Sequence, residues 1–124
     1  MSNPEIIGLG MDCVDVALRR DTMPSWEDPG VIKGFALANG GAAGTACAMA
    51  AMFGVPTGII DTLGNDEMTA FRVNALTGAG VDVSRMVRRD GPETRISIVF
   101  VEEQTGERHF SFHQDMFAHA IEPA

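Results

Sequence analysis

The feature that most constrains the fold of this chain is an uncharged stretch from Gly34 to Ile60, built mostly of alanine and glycine. Its centre, residues 39–54, reads NGGAAGTACAMAAMFG, so that a double glycine precedes a run without charge or proline. Because alanine and methionine favour helix, we predict a helix from Ala42 to Phe53, with Gly54 at its C-cap. Such small side chains let a backbone approach another group closely, or let two elements pack tightly.

The same stretch is long enough to span a bilayer, and this alternative has to be weighed. Gly40 and Gly44 even have the spacing of a helix-dimer motif of membrane proteins. However, the stretch contains Pro56, several glycines and few large aliphatic residues. Alanine and glycine insert weakly into membranes, so we predict that the chain has no membrane span.

Composition excludes other classes of protein. A chain of 124 residues forms one domain. Its net charge of −8 argues against nucleic-acid binding, which needs a basic face. Cys13 and Cys47 stand in apolar runs without the spacing of a zinc site, which predicts buried free thiols and a cytoplasmic location. The N-terminus lacks the basic and apolar regions of a secretory signal.

Hydrophobic patterns predict an alternation of strands and helices. Apolar runs predict strands over Glu5–Leu18, Val31–Leu37 and Thr57–Leu63. A second helix follows, with Asn65 as its N-cap and Gly78 and Gly80 at its end. Arg95 to Phe112 predicts a β-hairpin that turns at residues 103–107. Strand–helix–strand order implies a parallel sheet with right-handed crossovers.

Four segments in this order resemble the N-terminal part of ribokinase-like sugar kinases, the PfkB family. The segments are residues 10–24, 39–54, 61–86 and 96–112. The resemblance covers residues 5 to 115, and it implies part of a three-layer α/β/α fold with a small β-sheet lid. We therefore expect residues 1–124 to form a single N-terminal portion, with lid segments near 16–38 and 90–113.

The resemblance also implies a sugar site. Asp15 matches the strand-end aspartate that accepts hydrogen bonds from sugar hydroxyls, and a carboxylate can hold a vicinal diol. Gly40 and Gly41 match the double glycine before a helix whose free N–H groups point at the sugar. From the residues alone, the glycines equally fit a tight turn. Asp15 equally fits a solvated strand, and Asp12 competes for its role.

Three further positions are carried over with departures from the family pattern. Ala42 replaces a position that is often polar, and Thr45 stands where many relatives have asparagine. Both departures leave the identity of the sugar open, and Thr45 alone fits a helix residue that bonds to its own backbone. Arg108 matches an arginine on the lid, where it either reaches the substrate or decorates a strand.

Three local patterns indicate no site. GLGMDC, residues 8–13, resembles a dinucleotide fingerprint, but Cys13 replaces the third glycine. Gly78 to Gly80 resembles the catalytic Gly-Ala-Gly-Asp of the family, but Val81 replaces the aspartate, which predicts a helix C-cap. The three histidines, at positions 109, 113 and 119, lack partners at metal-ligand spacing, so no metal site is predicted.

The resemblance implies phosphoryl transfer from ATP to a sugar hydroxyl, with ATP and Mg²⁺ bound by the complete family member. The catalytic aspartate, anion hole and nucleotide pocket of the family have no counterpart in residues 1–124. We therefore expect this portion to hold no cofactor and to be inactive alone, with a sugar or polyol and a second copy through the lid as partners. The alternatives are a stand-alone sugar-binding or dimerising module and a Rossmann-like nucleotide-binding domain.

Overall fold

Strands and helices alternate through residues 3–119, the part of the chain that the computed structural model describes. Residues 1–2 and 120–124 of the expected 1–124 portion lie outside it. The strands are β1 Ile6–Leu9, β2 Cys13–Arg20, β3 Gly34–Gly40, β4 Thr57–Ile60, β5 Thr62–Leu63, β6 Val87–Arg88, β7 Ile96–Glu102 and β8 Arg108–Phe112. The helices are α1 Ala42–Met52 and α2 Glu67–Ala79. The predicted α/β class is confirmed.

One layer, here called the α/β layer, combines the helices with two short parallel sheets. β1 pairs with β4, and β5 pairs with β6, both in parallel. The core between helices and strands contains Cys47, Ile59, Leu76 and Val81. This parallel arrangement with helical crossovers is the one that the alternating pattern predicts.

Small residues in α1 allow it to pack very close to its neighbours. A Cβ added to Gly8 would lie 2.3 Å from the Cys47 Sγ atom, and one on Gly44 would lie 2.4 Å from the Asp12 Cβ atom. Both are far below ordinary contact distance, so a larger side chain at Gly8 or Gly44 would push α1 away from β1 or from the β1–β2 link. Tight packing thus accounts for part of the uncharged stretch. In residues 3–119, neither helix has the length and hydropathy needed to cross a membrane.

The other sheet, here called the lid sheet, has the strand order β3-β2-β7-β8. β2 is antiparallel to β3 and parallel to β7, while β7 and β8 form the predicted hairpin. Because side chains alternate across a strand, six apolar residues share one face. This apolar face consists of Val16, Leu18, Phe35, Leu37, Ile98 and Phe100. Asp15 and Ser97 are direct partners on the opposite face.

Several predicted boundaries are wrong. The strand predicted over Glu5–Leu18 is two strands in different sheets, because the chain bends at Gly10, whose φ of 115° suits glycine. The strand over Thr57–Leu63 is interrupted at Asp61, whose Oδ1 accepts a hydrogen bond from Thr62 N at 2.8 Å. The first return strand begins at Gly34 rather than Val31.

The helix ends show how local chemistry sets the boundaries. Asp66, not the predicted Asn65, caps α2, because its Oδ1 accepts a hydrogen bond from Thr69 N at 3.2 Å. Gly80 ends α2 in the left-handed conformation, so the predicted C-cap is confirmed. α1 ends with Phe53 as its C-cap, and Gly54 takes the left-handed conformation directly after it.

Candidate functional site

A groove of about 250 Å³ lies where the lid sheet meets the start of α1. It is lined by Met11, Cys13, Asp15, Gly41, Ser97, Phe110, Phe112 and Met116. The stacked rings of Phe110 and Phe112, with centroids 6.2 Å apart, form one wall. The groove therefore combines a carboxylate with apolar walls, as ligand sites commonly do.

Asp15 is held in a fixed orientation by its neighbours. Its Oδ1 accepts hydrogen bonds from Ser97 Oγ at 2.5 Å and from Cys13 Sγ at 3.4 Å. A Cβ added to Gly40 would lie 2.3 Å from Asp15 Oδ2, so a larger residue would force this carboxylate out of its orientation. The structure thus brings two of the predicted site residues, Asp15 and Gly40, into contact.

Gly41 turns the chain from β3 into α1. Its φ is 81°, and an added Cβ would lie 2.6 Å from the Met11 carbonyl oxygen. The prediction that the first-turn N–H groups are free is wrong in part, because Ala43 N and Gly44 N donate to Met11 O at 3.1 and 3.2 Å. These two N–H groups therefore hold the β1–β2 link against the start of α1 and are not available to a ligand. The small residues at the start of α1 thus serve the packing of the fold in part.

The other predicted site residues are placed less closely. Ala42 and Thr45 are exposed on the first turns of α1. Arg108 begins β8 and pairs with Val101, four residues before Phe112. At about 3.3 Å per strand residue, Arg108 lies about 13 Å along the strand from Phe112, the residue that pairs with Ser97 beside Asp15. The structure therefore does not bring Arg108 together with Asp15.

Sequence reasoning missed six lining residues, namely Met11, Cys13, Ser97, Phe110, Phe112 and Met116. For Ser97, Phe110 and Phe112 a signal exists in the period of two of the hairpin, which places alternate residues on the face of Asp15. In the described part of the chain, no group of three or more His, Cys, Asp or Glu residues is arranged to hold a metal ion.

A buried ionic cluster, here called the Arg72 cluster, lies behind the groove. It consists of Asp12, Asp61, Arg72, Glu93 and Arg95, all of them buried. Arg72 binds Asp12 through Nη2 at 2.5 Å and Nε at 3.2 Å, and Glu93 through Nη1 at 2.7 Å. Asp61 lies between the two arginines, 3.1 Å from each. Asp12 is thus engaged and fully buried, which removes it as a competitor of Asp15 for a substrate.

The cluster joins the points at which the described chain passes between the α/β layer and the lid sheet. Asp12 lies between β1 and β2, and Gly41, between β3 and α1, packs against it. Glu93 lies between β6 and β7, and Arg95 donates to the carbonyl oxygen of Met116, beyond β8. Charged hydrogen bonds of the Arg72 cluster therefore hold the chain segments behind the groove in place.

Burial and charge shift the pKa values of the cluster in different directions. Burial raises the pKa of Asp12, and the hydrogen bond and charge of Arg72 only partly offset this. Burial also acts to raise the pKa of Glu93, but hydrogen bonds from backbone N–H groups and the charge of Arg72 outweigh it and lower that pKa. Arg72 stays protonated because its carboxylate partners raise its pKa despite burial.

Comparison with solved structures finds chains that share this fold. An Arabidopsis thaliana ribokinase complexed with ribose and ATP has a TM-score of 0.77 and 19% identity, with 90% of this chain matched to 36% of that chain. A Xylella fastidiosa fructokinase with bound ATP has a TM-score of 0.68 and 25% identity, with coverage of 88% and 32%. A Methanocaldococcus jannaschii nucleoside kinase has a TM-score of 0.71 and 17% identity, with coverage of 86% and 36%.

The chain thus spans about a third of the length of these structures. A comparison with curated proteins returned no match. The family model described as pfkB family carbohydrate kinase matches residues 5–120, almost all of the chain. With its α/β layer, lid sheet and this match, the chain belongs to the pfkB family of carbohydrate kinases.

Proposed function

We propose that this chain is the sugar-binding and lid portion of an ATP-dependent carbohydrate kinase, which transfers a phosphoryl group to a hydroxyl of a sugar or related polyol. The observation that carries this proposal is the orientation of Asp15, held by Ser97 at the edge of a groove. Membership of the pfkB family supports the reaction class.

The residues around the groove suit a polyol. A carboxylate accepts hydrogen bonds from hydroxyl groups, and those bonds are stronger than bonds between neutral groups. Gly40 leaves room for the Asp15 carboxylate, Gly41 lines the groove, and Thr45 offers an exposed hydroxyl on α1. Phe110 and Phe112 would cover the bound sugar and exclude water from the transferring phosphate.

ATP and Mg²⁺ would be held by further sequence, since the matched structures are about three times as long as this chain. A surface for such sequence is present on the α/β layer. β1 pairs only with β4 among the described strands, and Leu9, Met52 and Phe53 are 72%, 69% and 81% exposed. An unpaired strand edge beside exposed apolar side chains is typical of a surface that another segment covers. Alone, the chain would bind sugar without transferring phosphate.

The apolar face of the lid sheet suits a second copy of the chain. Phe35, Leu37 and Ile98 on this face are exposed, and no charged side chain separates them in the strand register. Exposed apolar patches of this kind mark interaction sites in soluble proteins. We therefore propose a homodimer through the lid sheets. Two buried free thiols fit a reducing, cytoplasmic location.

The test is a titration of the ¹⁵N-labelled chain with D-ribose, D-fructose and ATP, followed by NMR. We expect a sugar to shift the amide signals of Asp15, Gly41 and Ser97, and we expect ATP to shift none of them. Asp15→Asn should weaken sugar binding by about tenfold or more, the effect of losing a hydrogen bond to a charged group. Asp82→Asn, at a half-buried aspartate that does not line the groove, serves as the control.

Two outcomes would contradict the proposal. If the amide signals do not move at a large molar excess of sugar over protein, the groove does not bind these sugars. Signals that move with ATP, but not with sugars, would favour the Rossmann-like nucleotide-binding domain instead.

A further inference from the structure

Ser97 is a buried polar residue in an otherwise apolar strand. β7 reads Ile-Ser-Ile-Val-Phe-Val-Glu, and Ser97 within it is only 2% exposed. A buried hydroxyl destabilises a protein unless it is hydrogen-bonded. Ser97 Oγ donates to Asp15 Oδ1 at 2.5 Å, across two strands whose register makes these residues direct partners. The position of the serine is therefore tied to the carboxylate.

The hydrogen bond from Ser97 makes the two oxygens of Asp15 inequivalent. Oδ1 accepts from both Ser97 and Cys13, and its capacity is largely used. Oδ2 lies against Gly40, in the space that a Cβ would take, and among the described residues no group donates a hydrogen bond to it, while Asp15 lines the groove. The carboxylate therefore offers one oriented acceptor oxygen to a ligand rather than two equivalent oxygens.

We propose that Ser97 is a positioning residue that sets selectivity at this site by fixing which oxygen of Asp15 receives a substrate hydroxyl. The inference rests on the proposed sugar-binding function. With Oδ1 engaged, a single oxygen in a fixed place distinguishes sugars that differ in the direction of one hydroxyl. Without the serine, the carboxylate can turn about its Cβ–Cγ bond and accept hydroxyls in several arrangements.

The experiment compares wild type, Ser97→Ala and Ser111→Ala with two pairs of epimers, D-ribose with D-arabinose and D-fructose with D-allulose. Ser111 is a matched control because it lies in the same sheet but pairs with Ile98, on the face opposite to Asp15. Dissociation constants come from NMR titration of the full chain. Ser97→Ala should weaken binding of the preferred sugar by up to about tenfold, because binding must then order a carboxylate that the serine no longer holds.

The selective readout is the ratio of dissociation constants within each epimer pair. In Ser97→Ala this ratio should fall towards one, whereas Ser111→Ala should keep the wild-type ratio. A merely structural loss would weaken both epimers equally and leave the ratio unchanged. Ser97→Thr, which retains a hydroxyl and suits a strand, should restore the wild-type ratio.

A second readout needs no sugar. The side-chain carboxyl ¹³C signal of Asp15 in the free chain should move in Ser97→Ala but not in Ser111→Ala. An unmoved signal would show that Ser97 does not hold Asp15, and an unchanged epimer ratio would show that holding it does not set selectivity; either result overturns the proposal.

Failure of the proposed function would look different. If wild type binds none of the four sugars, the sugar-binding function fails and selectivity fails with it. The Asp15 signal would still report whether the serine orients the carboxylate.

Discussion

Replacing Arg72 with methionine should destabilise the chain more than any exposed charge change. Arg72 donates five hydrogen bonds, four to the carboxylates of Asp12, Asp61 and Glu93 and one to the Thr62 carbonyl oxygen. Methionine fills similar space without charge, so Arg72→Met leaves Asp12 and Glu93 buried and facing one another. Breaking a buried ion pair by removing one partner costs about 3–5 kcal/mol. A domain of this kind has a total stability of only about 5–15 kcal/mol.

The assay is urea unfolding of the purified chain, followed by circular dichroism. With a slope of about 1–3 kcal/mol/M, the loss should lower the unfolding midpoint by more than about 1 M. Arg85→Met is the matched control, because Arg85 pairs with Asp82 at 2.7 Å on the surface. Exposed pairs contribute at most about 1 kcal/mol, so its midpoint should change little.

A second substitution tests the physical reason. If unpaired buried charge causes the loss, Asp12→Asn in the Arg72→Met background should regain part of the stability, since one carboxylate has then been removed. The reasoning is refuted if Arg72→Met is within about 1 kcal/mol of wild type, the range of surface pairs. It is also refuted if the double variant is no more stable than Arg72→Met alone.

Three further predictions concern pH, thiols and assembly. Because the pKa of Glu93 is lowered, the contribution of Glu93 to stability falls on acidification, whereas the raised pKa of Asp12 acts in the opposite direction. Glu93→Gln should make this fall shallower in urea unfolding between pH 5 and 3, and an unchanged slope would contradict it. Burial and the nearby Asp15 charge raise the pKa of Cys13 to about 12, and burial raises the pKa of Cys47. At pH 8 a thiol reagent should therefore label the native chain slowly and the urea-unfolded chain fast, because only the thiolate reacts. Rapid native labelling would show that the thiols are accessible. Phe35, 64% exposed on the apolar face, should be part of the dimer contact, so Phe35→Asp should sediment as a monomer where wild type does not. Equal sedimentation of the two would remove the apolar face as the contact.

Local signals in the sequence predicted the helices and the hairpin well. Gly80 after a periodic run and a glycine within the turn at residues 103–107 are chemical requirements of short segments, so they can be recognised without the rest of the fold. The break at Gly10 could not be predicted, because it depends on β1 and β2 joining different sheets.

The burial of Arg72 could not be predicted either. An arginine in an amphipathic helix is ordinarily a solvent-exposed residue. It is buried here because carboxylates at positions 12, 61 and 93 converge on it from distant parts of the chain. The candidate site could be predicted only in part. Asp15 and the double glycine were expected from the family resemblance, whereas Ser97 is assigned to Asp15 only by the register of two strands 82 residues apart.

That separation also affects the order in which the chain can fold. β2 meets β3 early in synthesis, but its other neighbour, β7, is made much later, since Asp15 and Ser97 are 82 residues apart. At about 5–20 residues per second, translation needs about 4–16 s to cover this distance. Pairing between such remote segments is slow even in a complete chain. For these seconds the edge of β2 that later pairs with β7 is open, as is the outer edge of β3, and the hairpin exposes an apolar face. A chaperone that shields strands would therefore raise the yield of folded protein.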